Sequence, residues 1–152
     1  MKRAAGEGFT LVEIMIVVAL IGLLSALALP AMLNAGRNAR SRRFAAELRT
    51  ASGAFFQYAA EHGVYPTDKT PGIMPDGMDE YLKTFNWSKE TVIGGQWDWD
   101  YGVFGITAGV SVKDPKFDDE QMKKIDHIID DGSLASGAFR SRSGGYMYVL
   151  EE

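Results

Sequence analysis

Residues Phe9 to Leu29, FTLVEIMIVVALIGLLSALAL, form a run of 21 residues that is apolar with few interruptions. As a helix rising about 1.5 Å per residue it would be roughly 31 Å long, enough to cross a bilayer core. Glu13 stands four residues into this run. A carboxylate there costs on the order of 2 to 3 kcal/mol in lipid unless something pairs with it, so the acid points to a function and to a partner.

The preceding residues, Met1 to Gly8, MKRAAGEG, place Lys2 and Arg3 near the start. A secretory signal would carry a small-residue cleavage site after its apolar segment, whereas this one runs on into Pro30 and a polar helix. The string Gly8-Phe9-Thr10-Leu11-Val12-Glu13, followed by an unbroken apolar helix and Pro30, resembles the start of a type IV pilin or a type II secretion pseudopilin. That resemblance implies cleavage by a prepilin peptidase between Gly8 and Phe9 on the cytoplasmic side, and N-methylation of the new Phe9 amine. A freed ammonium on Phe9 and the Glu13 carboxylate of a neighbouring subunit would each relieve the other's desolvation. Phe9, Glu13 and Pro30 are therefore the expected assembly residues.

The chain has 152 residues and no cysteine. Leader and apolar run leave roughly 120 residues for one modest core. Many type IV pilins carry a disulfide near the C-terminus, which this chain cannot form, and the resemblance tilts toward the pseudopilins. Of the net charge of −4, residues 50 to 152 hold −8, with 17 acids against 9 bases. An acidic body argues against nucleic-acid binding by the domain as a whole. Arg37, Arg40, Arg42, Arg43 and Arg49 follow the apolar run while only Lys2 and Arg3 precede it. Charge bias alone would thus leave the C-terminal part in the cytoplasm; the resemblance implies the reverse, since the leader must meet a cytoplasmic peptidase.

Beyond Pro30 the helix is expected to continue, kinked or locally opened. Phe44, Leu48, Ala51, Phe55 and Tyr58 recur at helical spacing and mark one apolar face, ending near His62-Gly63 where glycine caps and Pro66 prevents continuation. The Glu61 to Pro66 stretch also resembles the helix exit of major pseudopilins. Thr67 to Gly77 reads as a loop, and Met78, Tyr81, Leu82 and Phe85 as a short helix capped by Asp76 or Asp79. Trp97, Trp99 and Tyr101 alternate with Gln96, Asp98 and Asp100 in a first strand, aromatics on the core face and acids on the other. Ile106, Ala108, Val110 and Val112 mark a second strand. Asp118 with Gln121 resembles a capping box opening a helix whose apolar side is Met122, Ile125, Ile128 and Ile129, closed by Asp131-Gly132. A flexible Ser141 to Gly145 precedes a terminal strand bearing Tyr146, Tyr148 and Leu150.

No catalytic constellation emerges. His62 and His127 are the only histidines, neither at zinc-site spacing, and no nucleophile elbow or phosphate-cradling glycine loop is present. Major pseudopilins carry a calcium ion in the loop before their last strands. This chain offers Asp114, Asp118 and Asp119, or Asp126, Asp130 and Asp131, as hard oxygen ligands. Neither group has EF-hand spacing or matches the pseudopilin loop residue for residue, so no ligand set is carried over and no cofactor is assigned.

These readings lead to an α+β, pilin-like fold: a long N-terminal helix, half membrane and half amphipathic, packed on a small antiparallel sheet with short accessory helices. Residues 1–8 are the expected leader, 9–30 the transmembrane and assembly helix, 31–63 the amphipathic spine and 64–152 the globular α/β region. The implied function is that of a structural subunit, not an enzyme, in a type II secretion pseudopilus or type IV pilus-like filament. Its implied partners are further copies, other pilins or pseudopilins, the prepilin peptidase and an inner-membrane assembly platform. It would span a bacterial inner membrane once, with the C-terminal domain extracytoplasmic, and reach a periplasmic or cell-surface filament. The alternative is a membrane-anchored binding module for glycan or DNA, using Trp97, Trp99 and Tyr101 or the cluster Arg37, Arg40, Arg42 and Arg43.

Overall fold

The computed structural model describes residues 8–152; the expected leader, apart from Gly8, lies outside the described residues. The elements are α1 (Leu11–His62), a 3-10 turn (Met78–Glu80), β1 (Gln96–Tyr101), β2 (Ala108–Lys113), α2 (Asp119–Ile129), β3 (Phe139–Arg142) and β4 (Gly145–Glu151). The chain divides into two compact units, Met1–Arg37 and Asn38–Glu152.

In the first unit every described residue is exposed, although most side chains are apolar. Pro30 lies inside α1. Lacking an N–H, it leaves the Ala26 carbonyl without its usual helical donor.

In the second unit, the α1 face made by Phe44, Leu48, Ala51 and Phe55 is buried as its spacing predicts. The helix ends at His62, and Gly63, at φ 73°, donates its amide to the Ala59 carbonyl at 2.8 Å. A residue with a side chain is strained in that left-handed conformation, which explains the glycine. The four strands are antiparallel in the order β1-β2-β4-β3. Trp97 pairs with Val112 and Trp99 with Val110, so aromatic and branched side chains share the core face. Phe55 stacks on Trp99 with ring centroids 3.8 Å apart and planes 2° from parallel, and Phe44 stacks on Trp97 at 5.2 Å. Each such pair adds about 0.5–1.5 kcal/mol beyond the area it buries. The indoles' polar ends are satisfied, Trp99 donating to the Pro66 carbonyl at 2.9 Å and Trp87 to that of Ile73 at 3.0 Å.

The structure corrects the expectations in four places. The helix expected around Met78 to Phe85 is only a 3-10 turn, entered from Gly77 at φ 83° without a side-chain cap from Asp76 or Asp79. Ser141 to Gly145 is not a flexible lead-in. Phe139–Arg142 forms β3, and Ser143-Gly144 makes a two-residue turn into β4, with Gly144 at φ 74°. The capping box at α2 is half formed: Asp118 accepts the Gln121 amide at 2.9 Å, but the Gln121 side chain donates to Ser41 on α1 at 2.6 Å. Finally, the acid face of β1 is not solvated, since Asp98 and Asp100 are both buried.

Arg142, contributed by the unexpected strand β3, explains that last difference. Its guanidinium pairs with both Asp98 and Asp100 and donates to Ser111, which in turn donates to Asp100, while the Phe104 ring lies 4.7 Å from the guanidinium carbon. Desolvation, followed by the neighbouring Asp100 charge, pushes Asp98 up to about 6 despite Arg142 acting the other way.

Candidate N-terminal assembly site and its relatives

The candidate site is the start of α1, where Gly8 and Phe9 precede the helix and both are exposed. Thr10, immediately before the first helical residue, and Glu13 form a reciprocal capping box. Glu13 accepts the Thr10 amide at 2.9 Å and the Thr10 hydroxyl at 2.8 Å, while the Thr10 hydroxyl oxygen accepts the Glu13 amide at 3.2 Å. The pattern Thr-x-x-Glu is a capping signal, while the apolar surroundings of Glu13 predict an outside partner. The structure shows that within the chain the carboxylate already satisfies orphan donors at the helix start. Its placement near the positive end of the helix dipole acts in the same sense.

From this cap the apolar stretch runs on without burial. By length and composition it is able to cross a membrane, and none of its apolar window is buried within the chain. Arg37, Arg40, Arg42 and Arg43 follow, all exposed; Arg43 pairs with Glu47 one turn on at 2.8 Å. The aromatic stripe is a core feature: Trp97 and Trp99 are buried and offer no platform for a glycan.

The two candidate ligand groups fare differently. Asp114 lies 3.6 Å from Lys113, Asp118 caps α2, and Asp119 accepts the Tyr146 hydroxyl at 2.5 Å, so these three serve separate local purposes. Asp126, Asp130 and Asp131 do converge, each offering a carboxylate oxygen within 4.8 Å of the others.

A family model described as the prokaryotic N-terminal methylation motif matches residues 4–29. The fimbrial protein EcpC of Eikenella corrodens is 41% identical over 86 residues, 55% of this chain and 56% of that protein. The type IV major pilin protein PilE of Neisseria gonorrhoeae is 38% identical over 64 residues, 42% of this chain and 38% of that one. PilE1 of the same species is 33% identical over 73 residues, 48% of this chain and 34% of that protein. The chain thus spans from about a third to a little over half of the curated relatives' length, and none of the three is named as an enzyme. No solved structure matches the chain. It carries the prepilin-type N-terminal methylation motif, has an α+β pilin-like fold, and is similar to type IV pilins over about half its length.

Proposed function

We propose that the chain is a structural subunit of a pilin-type filament, cut between Gly8 and Phe9, methylated on the Phe9 amine and held in the membrane until its N-terminal helix packs among those of its copies. The observation that carries this reading is the fully exposed apolar window of α1 within the methylation-motif segment. So large an apolar surface needs an occupant, and lipid followed by neighbouring helices supplies one at each stage. The chain would cross the inner membrane once with residues 38–152 outside the cytoplasm, and would meet the prepilin peptidase and an assembly platform on the way.

In this reading Glu13 has two successive uses. Within the free subunit its oxygens close the capping box with Thr10. In the filament it receives the Phe9 ammonium of a neighbour and sets the register between subunits. Type II secretion pseudopilus rather than pilus is the finer assignment, supported by the missing cysteines and by the Glu61 to Pro66 helix exit.

Two measurements test the proposal. Intact mass of the membrane-extracted protein should show loss of Met1 to Gly8 and gain of one methyl group; an uncut chain sinks it. Glu13→Ala should insert normally and lower filament yield at least tenfold, by sedimentation of sheared filaments. Undiminished yield removes the register role.

A further inference from the structure

We propose that the cavity where the end of α1 meets the last residues of β1 and β4 binds an alkylammonium group, with Tyr65, Tyr101 and Glu151 as its recognition residues. The proposal is independent of the filament reading.

The local sequence sets the walls. Just past the glycine that ends α1, Pro66 is held by the bond its carbonyl accepts from Trp99, and the Tyr65 ring lies against the Trp99 ring with centroids 5.6 Å apart. Tyr101 closes β1, its ring 6.3 Å from that of Tyr65 and the two planes at 53°. Two half-buried rings thus form a wedge. The third wall comes from an irregularity in the sheet. Gly109 pairs with Val149 but Ala108 pairs with Glu151, so Leu150 is an extra residue in β4. Regular alternation from Tyr148 would turn Glu151 to the opposite face; the bulge instead sets it across from Ala108, which is itself across from Tyr101. With Thr107 from the turn before β2, and Ala59 and Gly63 from the end of α1, these side chains line a cavity of about 340 Å³. That is the size of a small-ligand site.

The electrostatic features of this cavity share one sign. No lysine or arginine lines it, and among the described residues Glu151 has no ion pair, since Arg140 on β3 pairs with Glu152 instead, at 3.0 Å. Burial, and then the Glu151 charge, hold the Tyr65 phenol above its ordinary value, so that charge acts on the ring itself. The carbonyl end of α1 adds a partial negative charge, and the ring faces add the negative side of their quadrupoles. A cation in the wedge can lie within about 6 Å of both ring centroids while Glu151 neutralises it. Val64, half exposed at the rim, offers apolar surface to the methyl or methylene groups beside the nitrogen. A hard metal ion would find a single carboxylate here, and an anion would meet only repulsion. An ammonium wrapped in carbon, from a small quaternary amine or a lysine side chain, matches both the charge and the rings.

The test uses the full chain in maltoside micelles, which carry no ammonium group, and follows the backbone amide NMR signals of Val64, Tyr65, Tyr101 and Thr107. Choline chloride and the N-acetyl methylamide of lysine are added in separate titrations. At least one should move these signals with a Kd on the order of 1 mM. Tighter binding of choline assigns a small quaternary amine as the natural ligand, and tighter binding of the lysine amide assigns a lysine side chain of a partner protein. Dimethylbutanol, in which carbon replaces the nitrogen of choline, should bind about fivefold more weakly than choline or worse. Glu151→Gln, an exposed substitution, should weaken binding about fivefold with no change in melting temperature. Tyr101→Phe keeps the ring and should bind within about twofold of the parent, while Tyr101→Leu should lose about fivefold, with tryptophan emission as the check that the fold is intact. No movement of these signals with either amine, or equal binding of the uncharged alcohol, overturns the proposal. Unchanged affinity in Glu151→Gln and Tyr101→Leu overturns the residue assignment.

Discussion

The two ends of α1 are built from similar residues and meet opposite fates. Between Leu11 and Leu33 leucine, isoleucine, valine and methionine cover every side of the helix and all are exposed, whereas Phe44, Leu48, Ala51 and Phe55 occupy one stripe and all are buried. A stripe can be covered by one sheet. A helix that is apolar all round needs neighbours on every side, and among the described residues none of its apolar side chains is covered. Burial thus follows from how apolar residues are distributed around the helix, more than from how many there are.

The sharpest way to break this contrast is to truncate one residue from each end. Phe55→Ala removes a ring stacked on Trp99 and should cost about 3–5 kcal/mol in urea unfolding of the chain in micelles. Ile16→Ala, of comparable hydrophobicity but exposed, should change the same transition by less than about 0.5 kcal/mol. A similar cost at both positions would mean that the apolar window packs on the fold after all.

Arg142→Ala probes the other face of the sheet. It strands Asp98 and Asp100 without their countercharge, and should cost about 3–5 kcal/mol. A loss below about 1 kcal/mol would show those carboxylates to be solvated.

Asp98 makes a smaller, pH-dependent contribution. Its folded value near 6 lies above the ordinary carboxylate value, so the folded state binds the proton more tightly than the unfolded one. The resulting stabilisation is complete below about pH 4 and is lost as pH rises through about 6, on the order of 2 kcal/mol in all. Urea midpoints between pH 4 and 7 should show this fall, and Asp98→Asn should flatten it.

The start of α1 makes a contribution smaller than that of Asp98. Thr10→Ala removes half of the capping box and should cost about 1 kcal/mol, confined to the first turn. Faster amide hydrogen exchange at residues 11 to 14 in micelles, with the rest of the helix unchanged, is the expected readout.

Most of the architecture could be read from local chemistry. Gly63 with Pro66 marks the end of α1, Asp118 the start of α2, and alternation marks β1 and β2, because each signal acts within a few residues. What escaped depends on distant partners. Phe-Arg-Ser-Arg has little strand character alone and becomes β3 by pairing with β4. Asp98 and Asp100 look solvent-facing by alternation, and only Arg142, 44 positions from Asp98, covers them. The site divides in the same way. Glu13 announces itself as an acid in an apolar run, whereas its bond to Thr10 is a helix-start feature that the apolar surroundings mask.

All three tryptophans, Trp87, Trp97 and Trp99, sit in the core of the 38–152 unit, and the apolar window has none. Intrinsic fluorescence is therefore a reporter for the globular unit alone, blind to lipid, detergent or neighbouring helices around residues 11–33. The emission of a filament and of a micelle-bound subunit should coincide wherever the fold survives assembly, so a shift between them would register deformation of the domain itself.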